Sequence, residues 1–150
     1  MTHTLSNESS ASIAIEPAAT MSARNAESTL RLVLRANALT SALGGVAMAT
    51  ASTAIDELLG TGHPGWVRVV GLALLPFAAF VAWLTTADRR QLSLHTPGII
   101  VGDAGWVAAS TATILLGWYS ASGVIAVSVM AAAVGTFGTL QYVLLRRLSR

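Results

Sequence analysis

The chain contains no cysteine and no lysine. Without thiols there are no disulfides, no thiolate nucleophiles, no iron–sulfur ligands and no cysteine zinc sites. Quinone-linked thiol–disulfide chemistry, which some small four-helix membrane enzymes perform, is excluded with them. Charge is scarce too: 11% of residues are charged, against about 25% in an ordinary soluble domain. Hydrophobic residues make up 53% of the 150, and the mean hydropathy is +0.63. So little polar surface cannot cover a globule in water. No nucleophile elbow occurs, no histidine lies inside an apolar run, and Gly44 with Gly45 lacks the rest of any phosphate-binding pattern. No catalytic group and no cofactor is expected.

What the chain does have is arginine in a telling arrangement. Arg24, Arg31 and Arg35 precede the first apolar run. Arg89 and Arg90 lie between the second and third, and Arg146, Arg147 and Arg150 follow the fourth; only Arg68 falls on the other side. Basic residues resist translocation, so this spacing predicts four crossings with both ends in the cytoplasm. The arginines flank apolar runs and are not gathered with aromatics, so nucleic acid is not an expected partner. Anionic lipid headgroups at the cytoplasmic face are, at about 1 kcal/mol per basic residue near them.

The fold class expected is an all-α membrane protein: a four-transmembrane-helix bundle, N-in and C-in, behind a disordered N-terminal tail. Residues 1–22 are rich in Ser, Thr, Ala and Asn and form that tail. Residues 23–150 form the transmembrane domain. It opens with an amphipathic lead-in, where Glu27 and Arg31 take the supportive i,i+4 spacing. A crossing needs about 20 apolar residues, which places spans at about residues 34–55, 66–86, 98–118 and 123–145. Between them lie an external loop at 56–67, an internal loop at 87–97 and a short external turn at 117–123. A cleaved signal peptide is a rival reading of the first run, but the long tail in front and three further spans weigh against it. Pro76 should kink the second span. Small residues at spacing four (Gly98 with Gly102, Ala131 with Gly135, Ala47 with Ala51) point to contact faces, because helices in lipid associate through close packing and hydrogen bonds.

Asp103 is the one acid inside a span. Ionised in hydrocarbon it costs at least about 2.5 kcal/mol, so it must face the bundle interior or a wet crevice. Trp106, Ser110, Thr113 and Gly117 share its face. Asn37, Ser41, Gly44 and Met48 share a face of the first span, and Gln141 lies at similar depth in the fourth. Asn37, Asp103 and Gln141 are therefore expected to meet as a polar layer in the inner leaflet, with Arg35 near enough in sequence to pair with Asp103. Two readings of Asp103 follow. In one it is a proton or cation site; in the other it is an anchor that satisfies Arg35 or a helix N-terminus at residues 97–98. Asp56, Glu57 and His63 in the external loop lack metal-ligand spacing and read as solvated. His95 and His3 carry no signal of their own.

In these features the chain resembles a family of small bacterial integral membrane proteins of about four spans and no assigned function. The likeness rests on Leu34, Arg35, Ala36, Asn37 and Ala38, on Gly44 and Gly45, on Gly71, on Asp103, Ala104, Gly105, Trp106 and Val107 with Ser110, and on Gln141. It covers about residues 30–145. It implies a four-span bundle and draws attention to Arg35, Asn37, Asp103, Trp106 and Gln141 as a set. The expectation is a non-enzymatic structural or accessory protein of a bacterial inner membrane, partnered by a second copy or another membrane protein. The alternative is a minimal transporter subunit, acting as a dimer with Asp103 as its proton- or cation-coupling site. Small multidrug-type exporters have a similar size and span count, but they place their essential acid in the first helix, and this first span has none.

Overall fold

The computed structural model describes residues 6–148, with side chains at Met21 and from Ala23 onward. Among these residues the fold is all-helical: α1 (Ser6–Thr50), α2 (Ser52–Leu59), α3 (Pro64–Leu84), α4 (Arg89–Leu115) and α5 (Ala121–Leu148). Four stretches, Ala23–Thr50, Pro64–Leu84, Arg89–Leu115 and Ala121–Leu148, are long and apolar enough to cross a membrane. Helix α1 packs along α3 and α5, and α5 pairs with α4. Helices α3 and α4 approach each other only briefly, although they are adjacent in sequence.

Several boundaries differ from the expectation. Helix α1 begins at Ser6, inside the stretch read as an unstructured tail; residues 6–22 hold one proline and no glycine, and alanine favours helix. Residues 1–5 of that stretch, and Arg150, lie outside the described residues. The first long helix stops at Thr50, and α2 occupies part of the expected 56–67 loop until Gly60, at φ +71°, closes it with a bond from its N–H to Asp56 O (2.6 Å). The larger correction concerns the expected 87–97 loop. Asp88 accepts the N–H of Gln91 (2.8 Å) and caps a helix that starts at Arg89, so only residues 85–88 turn. Pro97 then sits inside α4 instead of before it. The preceding Thr96 is fully buried and donates its hydroxyl to Leu92 O (2.6 Å). Pro76 likewise lies inside α3.

Glycine sets the closest crossing. A Cβ at Gly71 would lie 2.6 Å from Ala49 N and 2.8 Å from Gly45 O, so the α1 and α3 backbones touch directly. Gly45 carries this contact, while Gly44 and Gly98 face open space, contrary to the role expected of Gly98. Above this crossing, towards the arginine-rich end, Leu30, Leu34, Val81, Leu84, Leu92, Ile99 and Leu144 from all four long helices form the apolar core.

Both ends are tied by carbonyls. At the arginine-rich end, Arg31 donates to Thr85 O (2.8 Å) and pairs with Glu27 (2.8 Å), as the i,i+4 spacing predicts. Arg89 stands 4.0 Å from Glu27 and donates to Leu148 O (3.2 Å), joining α4 to the end of α5. At the opposite end, Ser120 N–H and the Ser122 hydroxyl donate to the free carbonyls of Leu59 (2.9 Å) and Leu58 (2.8 Å).

Gly71→Ala should destabilise the fold by about 1–3 kcal/mol, because the added methyl must push two backbones apart. Gly98→Ala, whose Cβ meets nothing within 4 Å, should leave stability unchanged or raise it by up to about 1 kcal/mol. Denaturant titration of the full chain in detergent micelles compares them, and equal responses would contradict the close crossing.

Candidate functional site

Three helices converge on Asp103. It lies near the middle of α4, about 21 Å from the helix start at about 1.5 Å per residue. The carboxamide of Asn37, from α1, donates to Asp103 Oδ2 at 3.0 Å and Oδ1 at 3.3 Å. Gln141, from α5, donates through Nε2 to Oδ2 at 3.1 Å. Ser41, one turn along α1, donates to Asn37 Oδ1 at 3.3 Å and holds that amide in place. The three central residues are 1% (Asn37), 3% (Asp103) and 0% (Gln141) exposed. Gly138, one turn before Gln141, makes room: a Cβ there would already sit 3.4 Å from Asp103 Cβ. Gln141 Oε1 is buried and meets no hydrogen-bond partner among the described residues.

The magnitudes say what such a cluster can do. Interhelical hydrogen bonds in lipid average about 0.6 kcal/mol and reach about 1.7, while a carboxylate in a span costs at least about 2.5. Two amide donors offset about half of that cost at the average strength and slightly more than all of it at the maximum. The cluster therefore adds more to specificity than to stability. A one-residue slip or a rotation of α1, α4 or α5 would strand the carboxylate without a donor, and that penalty selects one register.

The expected polar layer thus contains Asn37, Asp103 and Gln141. Arg35 does not join it. It is exposed on the flank of α1 and pairs with nothing among the described residues; two positions before Asn37, it points about 200° around the helix. Trp106 is half-buried one turn from Asp103 and makes no hydrogen bond among the described residues. The helix-terminus account of Asp103 is also overturned, because α4 starts at Arg89 and the carboxylate lies far from the first turn. Asp56 is a further correction. It is buried, not solvated, and its carboxylate accepts from the Thr61 hydroxyl and from His63 N–H (3.1 Å), closing the turn after α2. The His63 ring takes no part in that turn. His95 bonds Gln91 within α4 (2.9 Å) and packs edge-on to Phe80 of α3, with ring centroids 5.7 Å apart, and that ring contact joins α4 to α3.

Two open surface grooves lie among the described residues. One, of about 420 Å³, runs between α1 and α3; the other, of about 410 Å³, lies along α5. Neither is lined by Asp103, Asn37 or Gln141.

Compared with protein-family models, curated proteins and solved structures, the chain shows no match.

Asn37→Leu should cost about 1–2 kcal/mol, since it removes the donor to both carboxylate oxygens. Gln141→Leu should cost less than about 1 kcal/mol, because it deletes one donor together with an orphaned oxygen. Titration with a denaturing detergent gives both values. The reverse order would contradict the assignment of Asn37 as the principal partner.

Proposed function

We propose that the chain is a small integral membrane protein, crossing a bacterial inner membrane four times with both ends in the cytoplasm. It serves as a structural or accessory component and not as an enzyme. The observation that carries this reading is the inversion of polarity: Asn37, Asp103 and Gln141 are enclosed, while Val101 and Leu115 are 71% and 81% exposed. Water would reverse that arrangement, and lipid rewards it. The arginine distribution supports the orientation. The likeness to small four-span bacterial membrane proteins is part of the same proposal.

The scaffolding role is supported by the nature of the polar cluster. Asp103 meets carboxamides from two neighbouring helices and is sealed from the grooves. Such a device holds register. The partner we propose is a second copy or a larger membrane protein, docked on α5. That helix buries the least of itself, and Ala132, Gly135, Thr136 and Thr139 line a shallow groove on it. Small residues let another backbone approach closely. The minimal-transporter reading has one observation in its favour, the unpartnered Gln141 Oε1 beside a buried acid. Proton- or cation-driven transport that survives Asp103→Asn unchanged would remove it.

Reporter fusions at residues 87 and 148 should report the cytoplasm, and fusions at 62 and 119 the far side; residue 87 outside the cell would overturn the orientation. Native mass spectrometry of the full chain, extracted in mild detergent, should show dimers or a copurifying membrane protein. A strict monomer without companions would contradict the accessory role.

A further inference from the structure

We propose that the groove between α1 and α3 binds an anionic glycerophospholipid from the leaflet at the arginine-rich end. Its trough is built largely of alanine: Ala38 and Ala42 on α1, Ala78, Ala79 and Ala82 on α3. Side chains that end at Cβ leave a channel between two helices, and this one has a volume of about 420 Å³ and is open along one side. Arg35 is the one charged residue that lines it.

The charge of Arg35 is uncompensated. Arg31 is committed to Glu27 and to Thr85 O, and Glu27 also faces Arg89. Arg35 is exposed and has no ion pair or hydrogen bond among the described residues. It stands one helical turn, about 6 Å, further along α1 than Arg31. A guanidinium at that level, at the mouth of an apolar trough, calls for an anion whose remainder is apolar. A phosphodiester offers paired oxygens that match its fork, and an acyl chain fits the alanine-lined channel. Inside a bilayer the chain gains only packing, since the surrounding lipid is equally apolar. Selectivity must therefore come from the headgroup charge, and Arg35 decides it.

This inference rests on the membrane placement proposed above. Native mass spectrometry tests it on the full chain, delipidated in detergent and offered equal amounts of dioleoyl phosphatidylglycerol and dioleoyl phosphatidylcholine. The wild type should retain one phosphatidylglycerol in about fivefold preference, equivalent to about 1 kcal/mol at about 1.4 kcal/mol per factor of ten. Arg35→Gln should bring the two lipids to parity, while Arg24→Gln, an exposed arginine outside the groove, should keep the preference. Ala82→Leu, on the exposed wall of the trough, should reduce retention of both lipids. Equal retention of both lipids by the wild type, or a preference that survives Arg35→Gln, would overturn the proposal and leave the membrane reading standing. A chain that stays monodisperse without detergent and carries neither lipid would overturn both.

Discussion

A carboxylate enclosed by apolar helices needs donors, and it accepts them from fixed directions only. Asp103 finds them in one carboxamide from α1 and one from α5. That requirement sets the rotation of three helices at once. It explains why Gly138 occupies the position facing Asp103 Cβ, and why Ser41 holds the far side of the Asn37 amide. The apolar core beside the cluster, from Leu30 to Leu144, could be filled in several registers by leucines of similar volume. Hydrogen bonds are less forgiving, so the polar cluster selects among packings that the leucines alone would tolerate.

The remaining constraints act at the Gly45–Gly71 crossing and at the helix ends. The glycine contact fixes the separation of α1 and α3. The ends are closed by backbone carbonyls that would otherwise lack partners, through Arg31 and Arg89 on one side and Ser120 and Ser122 on the other. The arginines divide their labour. Arg31 and Arg89 join helix to helix, while Arg35 faces outward. The Arg89–Glu27 pair, at 4.0 Å and with Arg89 exposed, adds little energy by itself.

Much of this was legible in the amino-acid order. Long apolar runs, separated by glycine- and serine-rich turns on one side and by Arg89 and Arg90 on the other, define four long helices, and the spacing of Asn37, Asp103 and Gln141 places them at one level. The departures from that pattern follow from short-range chemistry. Pro97 reads as the start of a helix, yet Asp88 followed three residues later by Gln91 is a capping pattern that starts α4 earlier. Proximity in sequence suggests pairing Arg35 with Asp103, although about 100° per residue turns it away from Asn37. Asp56 gave no warning of its burial, because its donors, Thr61 and the His63 backbone, come into reach only when Gly60 takes a left-handed conformation.

The claim on which the account turns is that Thr96, Asp103 and Ser110 of α4 face inward while Val101 and Leu115 face outward, towards lipid. Because the chain has no cysteine, a single one can be introduced at any position and spin-labelled without background. Collision with oxygen, which concentrates in lipid, and with a water-soluble nickel chelate should be measured in proteoliposomes at residues 92, 99, 101, 110 and 115. The account predicts strong oxygen collision at Val101 and Leu115, and little of either at Leu92, Ile99 and Ser110. Nickel collision dominating at Val101 and Leu115, or Ile99 more accessible than Val101, would contradict it.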